Sequence, residues 1–373
     1  MEDAPRTVPH GWRIAVTMGT EHRKPVAENG KRKAMSNQPA APVRLKDIAQ
    51  DLNVSVMTVS KVVRGCADVG EETRTRVLAR IKELNYQPNW VARGLAARRT
   101  FMIGLIVPDL MHSFFAEIAK AVAAAIRPLG YDVVICNSEE DAELEASEID
   151  RLLGRQVDGL IVASAQPPGA AAAFDRIESR GVPYVLIDRH LERPSANYVG
   201  ADDDAIGRLA TEHLISCGCR RIAHIAGRPP VTGAGRLQGY REALAAAGIP
   251  FRKEYVLEAS DDASGYEAAR RLLALNPPPD GIFGYNDPTA AGAIKAILEC
   301  GRRIPQEIKV IGVGNVHYSD LLRVPLSTID QSSGAIGREA ADLLLKSIGA
   351  KRRRPARAVI VEPKLIARES TVG

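Results

Sequence analysis

The chain has 373 residues, 45% of them hydrophobic and 25% charged, with 50 Lys and Arg against 45 Asp and Glu. That length suggests two or three domains, and no apolar run reaches the roughly 18 residues of a membrane span, so no membrane partner is expected. The first 34 residues lack the apolar stretch and small-residue cleavage site of a secretory signal, which makes the cytoplasm the expected location. Five cysteines (Cys66, Cys136, Cys217, Cys219 and Cys300) are scattered, and the Cys217-Gly-Cys219 spacing fits neither a zinc knuckle nor a redox CxxC, so free thiols are expected. Residues 1–100 carry 18 basic and 10 acidic side chains, the remainder 32 and 35. A basic head on a slightly acidic body suits an N-terminal part that meets a polyanion.

Residues 1–43 show no sustained period and are rich in Pro, Lys and Arg, which predicts a disordered basic tail. Met35 stands just before the ordered pattern and offers a second start, with residues 1–34 then upstream sequence read in frame; the alternative is an arm that touches phosphates. From Leu45 the period is helical, with Leu45, Ile48, Ala49 and Leu52 on one face. Asn53-Val54-Ser55 breaks it, and Ser55 is a suitable N-cap for a second helix from Val56 to about Arg64, with Val59 and Val62 or Val63 inward. Gly65 ends that helix, and a third runs from about Glu71 to Leu84 with Val77, Ile81 and Leu84 inward. Three short helices, the first two joined by a tight turn, predict a helix-turn-helix domain over residues 44–86. Residues 87–100 form a linker in which Pro88 can start a short helix that is unstable in isolation.

Beyond Thr100, strand and helix alternate. Buried strands are predicted at 101–107, 131–137, 159–163, 183–188, 221–226, 255–258, 281–285 and 309–313, with amphipathic helices between them. Two successive βα arrays imply two parallel-sheet lobes of an α/β domain over 101–373. The first lobe is expected to hold about 101–200 and 328–354, the second about 201–327 and 355–370. Ligands of such sheets bind beyond the C-terminal strand ends, here in the cleft between lobes.

The second helix presents Val56, Met57, Ser60 and Lys61 outward. An α-helix fits the major groove of duplex DNA and its N-terminal residues reach base edges. Lys61 suits guanine O6 and N7, and Val56 or Met57 a thymine methyl. Ser55, Thr58, Arg44 and Arg64 are positioned to hold phosphates.

These residues carry a resemblance. The run from Leu45 to Gly65 (LKDIAQDLNVSVMTVSKVVRG), the stretch Glu83 to Ala96 (ELNYQPNWVARGLA) and Ile103-Gly-Leu-Ile-Val-Pro108 resemble the LacI/GalR family of bacterial transcriptional regulators over about Arg44 to Ser370. The resemblance implies a homodimer on a pseudo-palindromic operator in double-stranded DNA and a periplasmic-binding-protein-like sensor. It also implies a hinge helix that orders on DNA, with a leucine in the minor groove; Leu95 matches that leucine. Arg64, Cys66 and Gly70 depart from the usual pattern around the second and third helices, so the operator sequence does not transfer from relatives.

For the sensor, the resemblance points to strand-end positions: His112 with Phe115, Asp188 with Arg189, Arg236, Asp287 and Gln331. Carboxylates accept from hydroxyls, guanidiniums and amides donate to them, and an aromatic covers an apolar face, a set that suits a sugar-like effector. Of Phe114 and Phe115, one is expected in the core and one in the cleft. Asp287 also reads as an N-cap with Pro288 at the first helical position. Enzyme readings lack support: Gly233-Ala-Gly-Arg-Leu-Gln-Gly239 misses the dinucleotide fingerprint by one position, and there is no Walker A loop, HExxH or GxSxG. No catalytic residue, metal site or cofactor is expected. The expected function is a DNA-binding regulator, a repressor controlled by a small metabolite. The alternatives are a cytosolic sugar-binding protein, or a regulator answering to a purine or a partner protein.

Overall fold

The computed structural model describes residues 43–63, 65–87, 94, 97, 99–167, 169, 172–189, 191, 193, 195–227, 232–350 and 355–372. The chain divides into two compact units, one ending at Pro88 and one starting at Asn89. Arg64 and Leu95, and most of the expected tail and hinge, lie outside the described residues.

The first unit holds three helices: α1 (Leu45–Asp51), α2 (Val56–Val63) and α3 (Glu71–Glu83). Ile48, Ala49, Val59, Val62 and Val77 form its core, and Leu45, Leu52, Ile81 and Leu84 pack around them. Burial of a Val or Ile contributes roughly 1.5–3 kcal/mol, so this small cluster needs help from polar ties. Arg80 supplies one, reaching Asp51 on α1 at 2.6 Å and Glu83 at 2.9 Å. Arg76 adds another, to the Leu52 carbonyl at 3.2 Å. Between α1 and α2, Asn53 takes a left-handed φ of 51°, a conformation its short polar side chain tolerates.

The second unit is a pair of α/β lobes. The first sheet contains β1 (Met102–Val107), β2 (Asp132–Asn137), β3 (Gly159–Val162), β4 (Tyr184–Ile187), β5 (Asn197–Ala201) and β11 (Ala358–Val361), in the order β11-β5-β4-β3-β1-β2. The second contains β6 (Ile222–Gly227), β7 (Val256–Ala259), β8 (Gly281–Gly284), β9 (Lys309–Val313), β10 (Ser327–Asp330) and β12 (Lys364–Ile366), in the order β12-β10-β9-β8-β6-β7. All pairings are parallel except β10 with β12. Helices α4 (Ser113–Ile126), α5 (Ala142–Gly154), α6 (Ala172–Ser179) and α11 (Ser333–Ile348) accompany the first sheet. Helices α7 (Asp203–Ser216), α8 (Thr232–Ala246), α9 (Asp262–Leu273) and α10 (Asp287–Glu299) accompany the second. Because both faces are covered, the central strands read as unbroken apolar runs such as MIGLIV in β1.

The lobe boundaries need correction. Residues 327–330 were expected partly in the first lobe, but β10 pairs with β9, Ser327 opposite Ile311. Residues 355–361 were expected in the second lobe, but β11 pairs with β5, Ala358 opposite Tyr198. The chain therefore crosses between lobes three times: after β5, between β10 and α11, and between β11 and β12. In each sheet the strand order reverses at the first strand, β1 or β6. The crevices beside these strands are where such sheets bind ligands.

The entry to the first lobe is clamped. The Asp158 carboxylate accepts the backbone N–H groups of Thr100 at 2.9 Å and Phe101 at 3.1 Å. The Thr100 hydroxyl donates to the Gln156 carbonyl at 2.8 Å, and Arg99 donates to the Ile348 carbonyl and the Tyr131 hydroxyl, each at 3.2 Å.

Candidate functional site

Helix α2 carries its apolar residues in two opposite directions. Val59 and Val62 are buried, while Val56 is 47% and Met57 62% exposed at its first turn. Ser60 and Lys61 are half-buried beside them. The Ser55 hydroxyl caps the helix, accepting the Thr58 N–H at 3.0 Å and pairing with the Thr58 hydroxyl at 2.8 Å. Ser55 and Thr58, expected at phosphates, thus already hold each other, with one hydroxyl proton between them committed. Lys61, expected at a base edge, is engaged by Asp68 at 2.5 Å. An exposed pair of this kind contributes about 0–1 kcal/mol, so a base edge can displace Asp68. Arg44 is exposed, its N–H held by Asp47 at 2.8 Å.

In the second unit, polar groups converge where the strands of both sheets end. His112 follows β1 and is the N-cap of α4, its Nδ1 accepting the Phe114 N–H at 3.3 Å. Burial pushes its imidazole down to about 4, with Arg236 and Arg189 adding to the effect and Asp109 and Glu140 opposing it. Asp188 ends β4 with a left-handed φ of 60°, stabilised by the Tyr198 hydroxyl donating to its carbonyl at 3.1 Å. Burial raises the Asp188 carboxyl, against the pull of Arg189 and Arg236. That carboxylate makes no hydrogen bond to a described residue; its nearest cation is the Arg189 Nε at 3.9 Å. The Arg189 Nε is itself buried without a partner.

From the second lobe comes Arg236, 3% exposed. Its Nε donates to Asp203 at 2.8 Å and its Nη1 to the Tyr285 carbonyl. Glycines set this approach: a Cβ on Gly207 would lie 2.1 Å from the Arg236 carbonyl oxygen, and one on Gly239 2.0 Å from the Asp204 carbonyl oxygen. The glycines of the false dinucleotide motif therefore serve, at Gly239, the contact of α7 with α8. Burial pushes Asp203 up to about 6, with Arg236 opposing. Gln331 is buried at the crossover from β10 to α11, its side chain unbonded to any described residue.

Two expected residues are engaged within their own lobes. Phe115 is 6% and Phe114 3% exposed, and both pack into the first lobe's core, with Phe115 edge-on to the His112 ring at 5.9 Å. Asp287 is completely buried and both its oxygens are used, by the Val316 N–H at 3.0 Å, the Ser319 hydroxyl at 2.7 Å and the Thr328 hydroxyl at 2.6 Å. It is not the N-cap either. Asn286 is, accepting the Thr289 N–H at 2.9 Å, with Asp287 the first helical residue. Asp287 is a tie among α10, the loop after β9, and β10.

Sequence reasoning missed Glu140, Asp203 and Asn286. Glu140 grips Arg189 through both terminal nitrogens, Nη1 at 2.6 Å. Asn286 Nδ2 stands 3.3 Å from His112 Nε2, across the lobes. Each lies next to or at a helix cap (Asp141, Asp202 and Asn286 itself), so capping was a sufficient local explanation for these polar runs.

Among the described residues no helix is long and apolar enough to cross a membrane. Residues 100–369 match the model for periplasmic binding proteins and the sugar-binding domain of the LacI family, and residues 44–89 that for bacterial regulatory proteins of the lacI family. The chain is 36% identical over 333 residues to the ribose operon repressor of Halalkalibacterium halodurans, covering 88% of this chain and 97% of that protein. It is 37% identical over 331 residues to the transcriptional repressor PurR of Pectobacterium carotovorum, covering 87% and 96%. Among solved structures it is similar to the lac repressor dimer bound to operator and the anti-inducer ONPF, with a TM-score of 0.76, 28% identity and coverage of 89% and 100%. It also resembles the CelR–cellobiose complex, with a TM-score of 0.67, 31% identity and coverage of 88% and 99%. With a helix-turn-helix unit and a two-lobed α/β unit matched over nearly their whole length, this chain belongs to the LacI family of bacterial transcriptional regulators.

Proposed function

We propose that the chain is a cytoplasmic repressor that binds a pseudo-palindromic operator as a homodimer and is controlled by a sugar-like metabolite held between its lobes. The observation that carries the effector half lies at the end of β4: the buried Arg189 Nε has no partner, and beside it stands the Asp188 carboxylate, to which no described residue donates a hydrogen bond. An unpaired buried polar group costs roughly 1–3 kcal/mol, and a ligand hydroxyl that accepts from Nε can donate to the carboxylate. His112, Arg236 and Gln331 are the further effector contacts in this reading. A relative named for the ribose operon and a similar structure solved with cellobiose support the sugar reading.

The DNA half rests on α2. Val56, Met57, Ser60 and Lys61 read bases, Arg44, Ser55, Thr58 and Arg64 hold phosphates, and Leu95 enters the minor groove at the operator centre. The test is to select duplex DNA from a random pool with the purified chain, then titrate uncharged sugars against the complex. A two-fold-symmetric site, and one sugar that changes its affinity, are expected; linkage then requires the operator to change that sugar's affinity by the same factor. A chain that selects no symmetric site, or whose operator affinity no small metabolite alters, defeats the reading.

A further inference from the structure

We propose that Glu140 sets the charge class of the effector: by occupying both terminal nitrogens of Arg189, it makes the cleft select an uncharged polyol with adjacent hydroxyls over its carboxylate or phosphate derivatives. This rests on the reading that the cleft takes a sugar-like molecule.

Arginine recognises carboxylates and phosphates with the fork of its terminal nitrogens. In Arg189 that fork is taken: Glu140 faces Nη1 at 2.6 Å and also Nη2, and the Ser164 carbonyl accepts from Nη1 at 3.2 Å. Only Nε is left. Arg236 is engaged differently, at Nε by Asp203 at 2.8 Å and at Nη1 by the Tyr285 carbonyl. The convergence therefore contains three carboxylates (Glu140, Asp188, Asp203) against two guanidiniums. Among the described residues each guanidinium here already faces a carboxylate, so an incoming anion adds negative charge to an acidic convergence and lies beside Asp188.

The gap between Asp188 Oδ2 and Arg189 Nε is 3.9 Å, too long for a hydrogen bond. One hydroxyl there donates to the carboxylate and accepts from the Nε–H at once. A phosphate or carboxylate oxygen accepts but has no proton to give, so it leaves Asp188 unsatisfied and adds like-charge repulsion.

The position of Glu140 is built into the backbone. Glu139 and Glu140 both adopt left-handed φ, 51° and 57°, which for residues with a Cβ is costly and persists only where the surroundings impose it. The Glu140 N–H is held by the Pro108 carbonyl at 3.2 Å, and Asp141 next to it caps α5. The turn that ends β2 thereby presents the Glu140 carboxylate to Arg189 from outside, while Arg189 is 11% exposed.

The test uses calorimetry on the full chain with D-ribose, D-ribonate and D-ribose 5-phosphate, and with D-glucose, D-gluconate and D-glucose 6-phosphate. In the wild type an uncharged sugar should bind about 100-fold or more tighter than its own anionic derivatives. Glu140→Gln should narrow that ratio, and Glu140→Gln with Asp188→Asn should invert it. A wild type that prefers an anion, or a ratio unmoved by either change, overturns the proposal. Failure of every sugar to bind defeats the sugar reading instead, and the lock is then read with inorganic phosphate alone. About 10 mM phosphate should raise the melting temperature of the double variant and leave the wild type unchanged. A double variant, or its Glu140→Ala counterpart, that melts cooperatively yet ignores phosphate also overturns it.

Discussion

The Nε2 of His112, on the first lobe, lies 3.3 Å from the Nδ2 of Asn286, on the second. The Asn286 amide cannot turn to offer its oxygen, because that oxygen already accepts the Thr289 N–H at 2.9 Å. Nor is His112 free to change tautomer without loss, since its Nδ1 accepts the Phe114 N–H. A neutral imidazole has one acceptor nitrogen, so both neighbours cannot be served, and an acceptor atom arriving in the cleft relieves the conflict. His112→Ala should lower effector affinity by about tenfold and remove an N-cap worth about 0.5–2 kcal/mol, read by calorimetry and by chemical denaturation. Unchanged effector affinity would remove His112 from the site.

Acid should weaken the sensor through its histidines. His224 is completely buried, stacked on Phe283 at 4.2 Å, with Nε2 unpartnered, and burial pushes its imidazole down to about 3. A folded pKa below the unfolded value of about 6.5 means the unfolded chain binds the proton first. The stability His224 confers is therefore complete above pH 6.5 and is lost as pH falls from there toward 3; His112 acts alike toward 4. His224→Phe should flatten the fall in melting temperature between pH 6.5 and 4, whatever it does to stability at pH 8. The expected difference is on the order of a few kcal/mol. Parallel pH profiles for wild type and variant would show that His224 does not titrate in this way.

On α2, Lys61 and Asp68 form an exposed pair, and the two partners should respond oppositely. Lys61→Ala should cost about 1–3 kcal/mol of operator binding and relax preference at one base pair per half-site. Asp68→Asn, by releasing Lys61 and removing an acid near DNA, should tighten operator binding. Arg44→Ala should weaken all duplexes alike and reduce the salt slope by about one. If Lys61→Ala weakens random DNA as much as operator, Lys61 is a phosphate contact.

Asp287 illustrates what a sequence withholds. Pro288 read at the first helical position makes Asp287 the expected cap, yet Asn286 is the cap, and the donors from Val316, Ser319 and Thr328 identify Asp287 as internal. Central strands such as β1 and β3 were legible because burial on both faces demands unbroken apolar runs. β5 (NYVGA) contains Asn and Gly, while β11 and β12 are short edge strands with half-exposed residues, so local composition did not mark them. The strand-end pair Asp188–Arg189 came from the family resemblance, since local composition alone does not separate it from other charged strand ends. Asp287→Ala should destabilise the sensor by roughly 2–5 kcal/mol by leaving three buried donors unpaired, measured by denaturant unfolding. Normal stability with lost effector binding would return Asp287 to the cleft.

The last prediction concerns how cleft and head communicate. Asp158 holds the backbone of Thr100 and Phe101 at the start of β1, and Arg99 reaches the C-terminal end of α11 through the Ile348 carbonyl. α11 begins just after Gln331, at a crossover between lobes, and β1 leads to His112, so both ends of the cleft's scaffold terminate on this clamp. Coupling requires an element whose arrangement both sites bias. If the clamp is that element, Asp158→Ala should leave effector affinity without DNA within about twofold of wild type and shrink the factor by which effector changes operator affinity. Reciprocity then demands that operator lose, by the same factor, its influence on effector binding. Asp158→Asn keeps an acceptor for one of the two N–H groups and should fall between them. Calorimetry with and without operator reads both directions. A variant with full coupling in both would assign Asp158 to anchoring β1 alone.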